Sequence, residues 1–269
     1  MKLSKWKRLM AFTLMVGGCY LFPNVKGDDI RGLDDIEKSV QTYAKELAKE
    51  LEKLSYEEQI ELNCFNDLPP LHQAVARGDF SEVRRLLSSG DTNVKEVDKS
   101  GDTALHCCYR DERIAELLIS NGADIYARNS SGRIPLMAIL AGQYRAEKSE
   151  KIIRFLLLKD RHNKMVQSVD EFGESPLHVA ATHNEIAVMR LLLRAGADVN
   201  ARDNYGNTPL HDCAPWADNA EDFEVLRFLL EEGHADTTVR NNEGLTPAGA
   251  AIKRGNIKAA ELIFNHKQK

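Results

Sequence analysis

The 33 residues from Gly173 to Tyr205, GESPLHVAATHNEIAVMRLLLRAGADVNARDNY, constrain the fold most, because variants of them recur along the chain. Cognate runs begin at Gly101 (GDTALHCCY, then AELLISNGADIYARN), at Gly206 (GNTPLHDCA, then VLRFLLEEGHADTTVRN) and at Gly244 (GLTPAGAAIKRGNIKAAELIF). An earlier copy, LPPLHQAVARGDFSEVRRLLSSG, lacks the leading Gly, and a weaker one opens GRIPLMAILAGQ at Gly132. A unit this short leaves one apolar face exposed, so stacking of neighbours must create the core. Thr or Ser before Pro starts a helix, because the hydroxyl caps it and Pro loses nothing in the first turn, where its missing N–H has no partner. Leu then points inward, and Ala180 and Ala181 let two helices approach. The second helix is expected to bury Val188, Leu191 and Leu192 and to end at Gly196 in a left-handed conformation.

This pattern resembles the ankyrin repeat. The resemblance covers three quarters of the chain and implies an all-α solenoid of stacked helix-turn-helix units with β-hairpin-like connecting loops. The units fall at about 67–100, 101–131, 132–172, 173–205, 206–243 and 244–269, the first and last atypical. His72, His106, His178 and His211 share one repeat position, where the resemblance implies a histidine that ties neighbouring units by hydrogen bonds. Cys108 and Cys213 replace the small Ala of the motif and are expected as core residues, with free and mostly buried thiols throughout. His106-Cys107-Cys108 and His211-Asp212-Cys213 look like metal ligands, but equivalent positions three units apart lie roughly 30 Å from each other and cannot share an ion. No metal and no cofactor is expected.

Successive leading glycines are separated by 31, 41, 33 and 38 residues, so two units carry insertions. One is split between GQYRAEKSE and KDRHNKMVQSVDEF; the other is APWADNAEDF, between the helices of the unit from Gly206. Insertions in a solenoid map to loops on one face, commonly the binding face. Trp216, between Pro215 and Asp218, either folds back on the helix ends or is offered to a partner. Phe172 and Tyr205 precede leading glycines, at hairpin-tip positions that in the resembled family vary and contact ligands. Stacking would align Ser131, Phe172, Tyr205 and Glu243, with Arg133 and Tyr144 nearby; aromatics and Arg at adjacent tips are the composition of an interface hot spot. Arg133, Tyr144, Phe172, Tyr205 and Trp216 are therefore the candidate partner-binding residues, the alternative being aromatics that are merely solvated in turns. His162 with Asp160, and Glu171 with Glu174, read as solvated charges.

The N-terminus bears on where this surface works. Residues 1–8 carry four positive charges and no negative one, and Leu9 to Phe22 then run uncharged up to Pro23. That is the plan of an export signal over residues 1–18. At a rise of 1.5 Å per residue the fourteen uncharged residues span roughly 21 Å, short of the ~30 Å hydrocarbon core. Val16-Gly17-Gly18-Cys19 resembles the bacterial lipobox, in which the cysteine receives diacylglycerol before cleavage on its N-terminal side. Cys19 is thus the expected lipidation site; the alternatives are an ordinary secretory signal, a retained anchor, or a cytosolic protein with a misleading start. Residues 19–33, with Gly27, Asp28, Asp29 and Gly32, make a flexible tether. Over 34–66, Ile36, Val40, Tyr43, Leu47, Leu51 and Leu54 form one apolar helical stripe, expected to pack as an N-terminal cap on the first unit.

No Walker loop, Gly-x-Ser-x-Gly, His-Glu-x-x-His or dinucleotide fingerprint is present, and an enzyme is not expected. The net charge of −5 argues against a nucleic-acid surface. Removal of residues 1–18 would take four bases and no acid, leaving −9, which suits a basic partner. The expectation is a monomeric protein-binding scaffold in the bacterial envelope, membrane-anchored through Cys19 and facing the periplasm. One version, by resemblance, is an immunity protein sequestering a toxin or lipase; the alternatives are a secreted effector binding host proteins and a tether or protector of an envelope enzyme.

Overall fold

Proline steps mark where helices start. A computed structural model of the chain describes residues 68–142 and 149–266, and Pro70, Pro135, Pro176, Pro209 and Pro247 each stand in the first turn of a helix. Cys19, the tether, the stripe over 34–66, Cys64 and Tyr144 lie outside the described residues. The helices pair in order. α1 (Pro70–Arg77) is followed by α2 (Phe80–Ser88), and α3 (Glu112–Ser120) by the pair α4 (Pro135–Ala141) and α5 (Ser149–Lys159). Then come α6 (Pro176–Thr182) with α7 (Ile186–Arg194), α8 (Pro209–Cys213) with α9 (Ala220–Glu231), and α10 (Pro247–Arg254) with α11 (Ile257–His266). Among the described residues there is no strand, only an isolated antiparallel bridge between Val97 and Thr103 in a hairpin turn.

Each leading helix packs on its own partner and on the leading helices beside it: α6 touches α7, α4 and α8, while α5 touches α3 and α7. The result is two helical layers with one continuous core, the arrangement expected of an ankyrin solenoid. In five of the six units a leucine at the same motif position is almost wholly excluded from solvent, Leu71, Leu105, Leu136, Leu177 and Leu210; the last unit has buried Ala248 there. Ala180 and Ala181 are buried as their small size anticipates. On α7 the buried set is Val188, Met189 and Leu192, with Leu191 only half-buried, so the stripe is turned by one position from the expected one.

The unit from Gly101 departs from its cognates. Its leading helix is reduced to successive tight turns, with His106 N, Cys107 N and Cys108 N donating to the carbonyls of Thr103, Ala104 and Leu105. Seven residues separate Thr103 from Asp111, the N-cap of α3, where nine separate Ser175 from Glu185 ahead of α7. The two missing residues leave too little chain for an α-helix, and Ala104 replaces the Pro that pre-sets φ elsewhere.

The unit from Gly132 uses its extra length differently. Asp160, expected as a solvated charge, is only 3% exposed. It accepts hydrogen bonds from the Tyr126 hydroxyl at 2.7 Å and from the backbone N–H of His162 and Met165. The carboxylate organises the connection into the 3-10 turn Met165–Gln167, and these bonds hold its pKa below the usual value despite burial.

Candidate interaction face: hairpin tips and the Trp216 groove

An Asp or Asn three residues before each leading glycine builds the tips. The Oδ1 of Asp98, Asn129, Asp170, Asp203 and Asn241 accepts N–H bonds from the residues two and four positions on, and each backbone N–H at these sites pairs across the turn. These Asx turns fold each loop without a sheet. Adjacent tips are then fastened to one another. Glu171 N donates to Ser131 O, Asn204 N to Phe172 O and Asn242 N to Tyr205 O, at 2.9–3.0 Å.

That ladder aligns Ser131, Phe172 and Tyr205 as the repeat spacing anticipates. It consumes their backbone carbonyls and leaves the aromatic side chains outside, Phe172 at 46% and Tyr205 at 61% exposed. Arg133 has a different situation. Its Nε lies 3.1 Å from Asp170 and its terminal nitrogen 3.4 Å from Glu174, bonds that join two units, and its side chain is only 27% exposed.

The four repeat histidines lie behind the tips. The Nε2 atoms of His72, His106, His178 and His211 lie 2.8–3.2 Å from the backbone carbonyls of Asp102, Arg133, Asn207 and Leu245, each in the following unit. A carbonyl only accepts, so Nε2 carries the proton and Nδ1 is left to accept. In three units it does: Nδ1 takes the backbone N–H of Thr103, Ser175 or Thr208, with the hydroxyl of the same residue also in reach. Burial lowers the pKa of His106, His178 and His211, holding them neutral. In the earliest unit Pro69 stands in the Thr position and supplies neither donor, and His72 Nδ1 is buried without a partner.

Trp216 occupies the second insertion, at the end of the 3-10 turn Ala214–Trp216. Asn256 Nδ2 holds that loop from one side by donating to Ala214 O and Ala217 O, and Asn184 Nδ2 from the other by donating to Asp222. The indole is 58% exposed, with the Arg254 guanidinium over its ring at 3.3 Å from the centroid. The ring is anchored by a cation–π contact and is exposed to solvent. It borders a groove of about 720 Å³ that runs from the tips of the last two units to the Trp216 loop.

Asp212, on α8, lines this groove; the sequence singled it out only within the run His211-Asp212-Cys213. Burial first, then the nearby acids Asp203 and Glu174, push its carboxyl up to about 8. Cys108 and Cys213 are buried and Cys107 partly so; all three are free, and burial raises their thiols, Cys107 to about 12. Among the described residues no group of three His, Cys, Asp or Glu side chains is placed to hold a metal ion.

The family model for ankyrin repeats (3 copies) matches residues 39–129 and 139–234. SH3 and multiple ankyrin repeat domains protein 2 of Homo sapiens is 33% identical over 204 residues, covering 74% of this chain and 10% of its own length. The nuclear factor NF-kappa-B p105 subunit of Gallus gallus is 30% identical over 205 residues, 75% of this chain and 17% of its own. The chain thus spans less than a fifth of either relative. Among solved structures, the ankyrin repeat protein EF0377 superposes with a TM-score of 0.61 at 26% identity, over 73% of this chain and 96% of that one. An ankyrin repeat domain from Acinetobacter baumannii AYE gives 0.59 at 27% identity, over 74% and 97%.

Proposed function

The chain belongs to the ankyrin-repeat family, and on that footing we propose that it is a binding scaffold for another protein, with no catalysis of its own, acting from the bacterial envelope. Ankyrin repeats mediate protein–protein binding, and the observation that carries the reading here is the continuity of one face. Tips locked carbonyl to N–H hold Phe172 and Tyr205 in neighbouring positions, and Trp216 stands over the groove beside them. Exposed aromatics on a rigid frame give contact area with little ordering cost. Arg133 serves the scaffold by fixing the tip on which Phe172 rides.

The location rests on the sequence before residue 19. A basic start, a short apolar run and Val16-Gly17-Gly18-Cys19 support export and lipidation of Cys19, with the tether over 19–33 and a cap over 34–66 joining the anchor to the repeats. Within that setting, sequestration of a basic toxin or lipase is the version the acidic charge favours, ahead of a tether for an envelope enzyme or a released effector.

Two experiments test the proposal. Metabolic labelling with a clickable fatty acid should mark wild type and not Cys19→Ser, which should remain uncut or turn soluble; equal processing and membrane retention of both would remove the anchor. Affinity capture from cell envelopes should recover a protein with wild type that Phe172→Ala/Tyr205→Ala no longer holds. Recovery of the same proteins by both would move the binding face elsewhere.

A further inference from the structure

Neither the repeat nor the tips require an acid at position 212. The equivalent residues of the other units are Gln73, Cys107, Ala138, Val179 and Ala250, all uncharged. Here a carboxylate stands in the wall of a groove of about 720 Å³, and its Oδ2 is buried without a hydrogen-bond partner. A buried carboxyl oxygen left without a partner is costly, whether the group is protonated or ionised.

The bases around the groove are engaged elsewhere: Lys253 Nζ lies 2.9 Å from Glu243, and Arg254 lies on the Trp216 ring. Glu174 lines the groove as a second acid, its one ion pair with Arg133 being long at 3.4 Å. Trp216 and Pro215 add apolar surface at the same groove. The arrangement lacks a cation on a slim apolar stem.

We propose that the groove receives a lysine or arginine side chain projecting from the protein partner, its charged head on Asp212 and Glu174 and its alkyl stem along Trp216. This deepens the scaffold reading and rests on it. The incoming head supplies the partner that Asp212 Oδ2 lacks, in a sheltered place where a charge pair fixes register and rejects acidic or neutral residues. The volume is ample for one such side chain with part of the backbone that carries it.

The test uses the full-length chain, 15N-labelled, and follows the indole N–H signal of Trp216, distinguished from that of Trp6 by Trp216→Phe. The probes are Nα-acetyl-lysine amide, Nα-acetyl-arginine amide, neutral Nα-acetyl-norleucine amide and spermidine. The two cationic amides should shift the signal saturably, norleucine amide about ten-fold more weakly or not at all, and Asp212→Asn should lose the response while still melting cooperatively, at or above the wild-type temperature. No saturable shift, or one undiminished in Asp212→Asn, overturns the proposal. Response to spermidine alone would mark a free polyamine site and equally overturn it. The capture experiment separates the two levels: a partner held by Asp212→Asn as tightly as by wild type sinks the lysine or arginine site and leaves the scaffold standing. Absence of any captured partner, with the cationic amides still bound, sinks the scaffold reading instead.

Discussion

His72 and its three counterparts show how much one residue controls. In three units a Thr or Ser satisfies Nδ1 while Nε2 donates into the following unit, so one imidazole joins the start of its unit's leading segment to the next repeat. Pro69 breaks the set. Pro69→Thr would give His72 Nδ1 both an N–H and a hydroxyl donor and would cap α1. A formed bond is worth about 1 kcal/mol and the cap about as much, against a Pro entropy loss of about 0.4–1 kcal/mol, so the variant should gain roughly 1 kcal/mol in urea unfolding. Asp212 is the opposite case, a residue that burdens the fold. Its native pKa of about 8 lies well above the 3.8 of an ordinary Asp carboxyl, so the native state holds a proton that the unfolded chain releases, and stability falls as pH rises between those values. Asp212→Asn should therefore be stabilising by an amount that grows from pH 4 to pH 8 and levels off above, as read from melting temperatures. The histidines pull the other way. With folded pKa values below 6.5, His106, His178 and His211 contribute stability that is fully present above about 6.5 and is lost as pH falls through their native values. The Asp212→Asn background should expose this as a steady loss of stability from pH 6.5 downward; a flat profile there would mean the imidazoles are not held neutral.

At the scale of the element, the leading glycines carry two separate demands. Gly173 and Gly244 both have φ near +78°, at 78° and 77°. At Gly173 a Cβ would also lie 2.6 Å from Asn204 Oδ1 and 2.8 Å from Asn204 N, because the next tip is fastened there; at Gly244 nothing lies within 4 Å. Gly244→Ala should thus cost only the left-handed strain, about 1–2 kcal/mol, while Gly173→Ala costs clearly more because the tip ladder must open. Gly196, with φ 91° and nothing near its missing Cβ, belongs with Gly244, and Gly196→Val should cost a similar 1–2 kcal/mol or slightly more for β-branching. Helix starts, the capping hydroxyls and the left-handed stop at Gly196 were legible because each is a local rule written in two or three residues. The lost leading helix of the unit from Gly101 was legible only as a count, 31 residues against 33, since TALH still reads as a helix start. Leu191 was misassigned to the core because Met189 and Leu191 are both apolar, and only packing against the neighbouring unit decides which faces inward.

At the scale of the whole molecule, the repeat period made the fold readable and says little about the proposed binding face. Periodicity reports what units share, whereas a binding face is made of what they do not share. Phe172, Tyr205 and Trp216 stood out as exceptions to the pattern, and the structure leaves all three exposed. Arg133 looked equally exceptional, but its partners Asp170 and Glu174 are 37 and 41 residues away, a pairing that only stacking reveals. Asp212 was hidden for the converse reason: in the sequence it stood only within the His211-Asp212-Cys213 run, whereas its place in the groove wall with Pro215 and Trp216 appears only in the folded chain. Hydrogen–deuterium exchange on the chain alone and with its captured partner tests whether these residues form the binding face. Exchange should slow over 170–174, 203–207 and 214–218, with α5, α7 and α9 unchanged. Protection confined to those second-layer helices, with the tips and the Trp216 loop exchanging as in the free chain, would contradict it.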